Sequence, residues 1–111
     1  MIRTEDGRTI ARDVEYARGF LSKARGLMFR RSIPDGYALV FEFDRERPVS
    51  FHMFFVPFDI DIVFLDSENR VTKTATMEAW TGRSKGKAKR VIELPEGGAS
   101  TLKSGDKLVF Y

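Results

Sequence analysis

Cysteine is absent from this 111-residue sequence, and so is glutamine. Without cysteine there can be no disulfide, no thiolate metal site and no cysteine nucleophile. His52 is the only histidine, so an ordinary structural zinc site is excluded as well. No apolar run approaches the roughly 20 residues that a membrane-spanning helix needs. The longest, residues 51–58, is interrupted by His52 and Pro57 and is followed at once by Asp59 and Asp61. No basic-then-apolar leader opens the chain, so a soluble, cytoplasmic protein is expected. Neither a GxxxxGK[ST] nor a GxGxxG loop occurs, which removes the common nucleotide-binding signatures.

The composition that remains suits one small domain over residues 1–111. Hydrophobic residues make up 42%, enough for a core, and charged residues 32%, above the usual quarter. Many charges with few amide side chains is the drift of heat-adapted proteins. The net charge of +3 permits anionic partners without demanding them.

The stretch Val49–Asp66 holds five of the ten Phe, together with His52, Met53, Asp59 and Asp61. Pro48 and Pro57 bracket a Phe-rich strand over 50–56. Residues 58–65 begin with period-2 alternation, which predicts a strand with Asp59 and Asp61 on one face. Strands are also expected over 10–17, 37–43, 71–79, 89–94 and 107–111. Residues 1–9 should fray or start an edge strand. A charged turn is expected at 44–48 and a long Lys- and Gly-rich loop over 80–88. Apolar spacing at Phe20, Leu21, Ala24, Leu27 and Met28 predicts a short helix over 18–25 that Gly26 terminates. A helical turn is expected over 97–104, where Gly97-Gly98 offers a small anion nest or a tight turn. The expected fold is mostly β: a compact antiparallel sandwich or barrel of seven to eight short strands with one or two short helices.

Four blocks, in order, resemble the DUF192 family, also called UPF0127. They are Ala24–Arg30 (ARGLMFR), Phe51-His52-Met53 followed by Ile60–Asp66, Val91–Gly97 (VIELPEG), and Gly105-Asp106. His52 stands where many bacterial members have Trp, a form similar to archaeal members. Asp59 stands where relatives have Pro. The resemblance implies a compact, mostly antiparallel β structure with short helices and implies no particular activity.

Three functional readings compete. The first is a binding module for a small, anionic or neutral ligand, or a protein partner, in a cleft beside the central strands, using Arg25, Arg30, His52, Asp61, Trp80 and Glu93. Arginine forks suit carboxylate or phosphate, yet they serve equally well as structural clamps on Asp61 or Glu93. The second is a nucleic-acid module using the basic segments 18–31 and 83–90, with Arg18, Lys23, Arg83, Lys85, Lys87, Lys89 and Arg90; a solvated basic face explains the same residues more simply. The third is a metal-dependent or hydrolytic enzyme around His52, Asp59 and Asp61. A satisfied histidine and a structural carboxylate are the plainer reading there, and no metal or cofactor is expected.

Overall fold

The computed structural model describes residues 1–19 and 26–111. Eight strands run in the order β1 (Ile2–Thr4), β2 (Thr9–Ala11), β3 (Asp13–Ala17), β4 (Tyr37–His52), β5 (Ile60–Leu65), β6 (Val71–Met77), β7 (Arg83–Pro95) and β8 (Leu108–Phe110). They form two sheets, β2-β1-β8 and β3-β4-β7-β5-β6. The pairing is antiparallel throughout except for β3 with β4, which is parallel. A parallel pair needs a long crossover, and residues 18–36 supply it.

The centre of the large sheet is buried on both faces, and alternation divides its side chains between two cores. Leu39, Phe41, Ile62, Phe64 and Val91 pack on one face with Leu27, Met53 and Met77. Val40, Val63, Leu65, Ile92 and Leu94 pack on the other, under Ile2, Ala11 and Leu108 of the small sheet. The result is a sandwich in which β5 is buried at every position.

Several expectations are corrected. The strand over 10–17 is two strands in different sheets. Arg12 N and Asp13 N both donate to Gly36 O, at 2.9 and 3.0 Å, where the chain passes from one sheet to the other. Residues 2–4 neither fray nor lie at an edge, since β1 is the middle strand of its sheet and Ile2 is fully buried. No turn interrupts 44–48. β4 runs through it with a register irregularity between Glu42 and Arg47, and the strand stops at His52 rather than Val56. Pro48 is tolerated because this part of β4 pairs with β7 alone, so its missing N–H costs no ladder bond on the open side.

Residues 83–88 are not a loop. They pair with 47–52 and begin the long strand β7. Lysines alternate there with Ser84, Gly86 and Ala88, a period-2 pattern whose inward residues are small. The smallness matters at Gly86, where a Cβ would stand 3.2 Å from the Phe64 ring. The helix expected over 18–25 falls largely on residues 20–25, outside those described. Its expected terminator, Gly26, has a positive φ of 51°. Among the described residues there is no α-helix. Residues 97–102 form hydrogen-bonded turns instead, with Ser100 N donating to Gly97 O and Leu102 N to Ala99 O.

Candidate functional site

The sequence places two acids on adjacent strands, Asp61 on β5 and Glu93 on β7. Register pairs Asp61 with Leu94 and Ile62 with Glu93, so the two carboxyls emerge on opposite faces of the same sheet. Both are buried, at 5% and 4% exposure. Their surroundings differ completely.

Asp61 is satisfied by its own chain. Oδ1 accepts from Thr76 Oγ1 at 2.9 Å, and Oδ2 accepts from Gly97 N at 3.1 Å and Ala99 N at 3.0 Å. The anion nest expected at Gly97-Gly98 therefore exists, and the anion in it is Asp61. Asp59 does not lie in the strand with Asp61. Asp59 precedes β5 and is exposed, and its Oδ1 accepts from Ala79 N at 2.7 Å. A hydrogen bond to the neighbouring Asp59 carboxylate favours protonated Glu96 and pushes its carboxyl above its ordinary value. Both faces of β5 are interior, so Asp61 is buried.

Glu93 faces a cleft of about 620 Å³, well within the size of small-molecule sites. Its floor is Phe41 and Glu93. The β4 segment 47–52 forms one side and Gly26, Leu27 and Met28 the other. Phe41 and Phe51 meet edge to face, 5.0 Å between centroids. Gly26 passes so close that a Cβ there would lie 3.4 Å from Phe41 Cζ and 3.6 Å from Glu93 Oε1. Oε1 is buried with no hydrogen-bond partner. Among the described residues no ion pair reaches Glu93 either. Burial alone pushes its carboxyl up to about 8, so the neutral acid is the prevailing form at pH 7.

His52 lines the mouth of the same cleft. Its Nδ1 accepts from Phe54 N at 3.2 Å, which places the imidazole proton on Nε2. Arg30 is elsewhere. It pairs with Glu15 at 3.4 Å and its guanidinium covers the Tyr37 ring at 5.3 Å. Trp80 is 54% exposed and does not line the cleft. Arg25 and Lys23 lie outside the described residues. Of the five described residues among the six expected to form one ligand site, the structure brings together His52 and Glu93. Sequence reasoning missed Phe41, Val49 and Phe51 as cleft walls, although Leu27 and Met28 stood inside a recognised block.

The His52, Asp59 and Asp61 grouping is dispersed, and among the described residues no three His, Asp or Glu side chains are placed to hold a metal. The basic residues divide. Arg18 and Arg90 converge on Glu42, at 3.7 and 2.8 Å, and Lys89 Nζ donates to Phe43 O at 3.3 Å. Arg83, Lys85 and Lys87 are exposed along β7. Arg83 and Lys85 border a second groove of about 720 Å³ with Lys73, His52 and Phe54, and no acid lines it.

One surface carries backbone strain. Phe29, Phe55 and Trp80 all have positive φ, at 69°, 59° and 68°, a conformation that costs a non-glycine residue about 1 kcal/mol or more. Hydrogen bonds hold it: Phe29 N donates to Phe55 O at 2.8 Å and Trp80 N to Val56 O at 3.0 Å. The Phe29 and Phe55 rings stack at 5.0 Å while remaining more than half exposed.

Residues 1–110 match the DUF192 family, described as Uncharacterized ACR. The chain belongs to the DUF192 family. Among its UPF0127 relatives, PH1112 of Pyrococcus horikoshii is 36% identical over 104 residues, covering 89% of this chain and 88% of the relative. PYRAB11210 of Pyrococcus abyssi is 39% identical over 100 residues, covering 86% and 83%. Both relatives are archaeal, as the resemblance to archaeal members implied. Among solved structures, a protein of unknown function from Novosphingobium aromaticivorans aligns with TM-score 0.85 and 27% identity, over 98% of this chain and 83% of that one. A structure from Sinorhizobium meliloti, at 24% identity and TM-score 0.83, covers 97% of this chain and 90% of its own and shares the fold. No helix among the described residues is long and apolar enough to cross a membrane.

Proposed function

We propose that this DUF192 domain is a binding module for a small ligand, which enters the cleft between residues 47–52 of β4 and the 26–28 turn. The observation that carries the reading is Glu93: a buried acid, unpartnered among the described residues, at the floor of a cleft walled mainly by apolar residues. An unpaired buried polar group costs about 1–3 kcal/mol, and an apolar side chain of similar size would avoid that cost. Perturbed acids in clefts are candidates for binding work on this ground. Phe41, Phe51 and Val49 supply apolar contact, while His52 and Arg47 supply polar groups at the mouth. Arg30, Asp61 and Trp80 are assigned structural or surface roles.

A second reading, nucleic-acid binding, draws support from the acid-free groove bordered by Lys73, Arg83 and Lys85. One experiment separates the two: protein-observed NMR with an aromatic fragment set and with a short single-stranded RNA, at low and high salt. The small-ligand reading expects fragments to shift the amides of Val49–His52 and of Leu27 and Met28 at both salt concentrations. RNA shifts confined to Lys73 and Arg83–Lys87 that vanish at high salt, with no fragment response in the cleft, would replace it by the second.

A further inference from the structure

We propose that the cleft selects a planar, uncharged ligand whose edge presents a hydrogen-bond acceptor beside a donor, as in an amide, a lactam or a heteroaromatic ring, and that this edge pairs with the Glu93 carboxyl. The inference rests on the small-ligand reading and specifies the chemistry of that site.

The groups around Glu93 decide the charge of its partner. On β4 the residue paired with Glu93 is Leu39, and the next inward residue is Phe41. On β5 its neighbour is Ile62, while Asp61 turns to the other face. Across the cleft stand Gly26, Leu27 and Met28. Among the described residues, the titratable or cationic groups of the cleft besides Glu93 are Arg47, which leans toward Asp44 at 3.8 Å, and His52, whose Nδ1 is already engaged. Neither forms a hydrogen bond or ion pair with Glu93.

Among the described residues, a carboxylate ligand would therefore meet no cation on the floor, a placement that costs several kcal/mol. An ammonium ligand would require Glu93 to ionise in an apolar setting, beneath a mouth that carries Arg47. An uncharged edge avoids both costs. A protonated carboxyl offers one O–H donor and one carbonyl acceptor on the same side, and the matching ligand presents the reverse pair. Phe41 and Phe51, already in ring contact with each other, suit a flat aromatic body at that position. Burial holds the Glu93 proton in place up to about pH 8.

The test uses three probes of one shape, benzamide, benzamidinium and benzoate, with toluene as a control that lacks the edge. Binding is followed by NMR titration of the full chain from pH 6 to 9.5. Benzamide should bind best at pH 6–7 and weaken roughly tenfold or more by pH 9.5, as the acid ionises. Glu93→Gln keeps a donor and an acceptor, so it should bind benzamide within a few-fold of wild type and lose the pH dependence. Glu93→Leu should remove benzamide binding while leaving toluene binding intact, which also shows that the cleft is still formed. Preference for benzamidinium, tightening with pH and lost in Glu93→Gln, would overturn the proposal. Toluene equalling benzamide in the wild type would overturn it too, with the cleft still a binding site. Silence of the cleft amides toward all fragments would instead bring down the small-ligand reading itself.

Discussion

Asp61 and Glu93 occupy neighbouring strands of one sheet, are equally buried, and are built into opposite designs. Asp61 takes three hydrogen bonds and ties the 97–99 turn to the edge of the sheet through Thr76. It is a charge that the fold has solvated with its own N–H groups. Glu93, across the sheet, has an apolar surround and an open cleft in front of it. The difference teaches that burial of an acid says little by itself, and that the partners decide between scaffold and site. A chain that meant both acids as scaffold would have supplied donors to both.

The contrast can be broken most severely at Asp61. Asp61→Ala leaves Gly97 N and the buried Ala99 N without their acceptor, and should cost roughly 3 kcal/mol of stability. Chemical denaturation measures it, and a loss below about 1 kcal/mol would mean that the turn does not depend on the carboxylate.

Glu93 should behave in the opposite sense. Its native carboxyl is raised from 4.5 to about 8, so between those values the unfolded chain binds fewer protons than the native one. The stability it contributes is fully present below pH 4.5 and is lost as the pH rises through about 8. Glu93→Gln should flatten this decline and be more stable than wild type at pH 8.5 by about 1–3 kcal/mol. Parallel stability–pH curves for the two proteins would refute the assignment.

The smallest effect is expected at Thr76→Val, which removes one of the three bonds to Asp61 and leaves the two backbone donors in place. It should cost about 1 kcal/mol in the same denaturation assay. A cost equal to that of Asp61→Ala would show that the hydroxyl, and not the turn, is the main support of the carboxylate.

Much of this architecture was legible in the residues. The β5–β6 hairpin, the strand stopped near Pro95 and the final strand follow directly from alternation and turn residues. The family blocks hold both acids. What misled was context. Lys85-Gly86-Lys87 reads as a loop because glycine and lysine are common there, yet Gly86 is small so that Phe64 can approach β7. Asp59 and Asp61 read as a pair on one strand face because they are spaced by two, yet Asp59 precedes β5 and is exposed. The second face of β5 is covered by β1 and its neighbours, and Asp61 is drawn inside.

Local pattern was enough to read a mostly β chain, because side-chain period and turn chemistry act over a few residues, and four ordered blocks carried the resemblance to DUF192. Only the tertiary structure decided which charges meet. Glu93 owes its state to Leu39, Phe41 and Ile62 on other strands and to Gly26 from the crossover. Asp61 owes its own to Thr76, Gly97 and Ala99. Solvation of a buried carboxyl depends on atoms far away in sequence, and no window along the chain contains them.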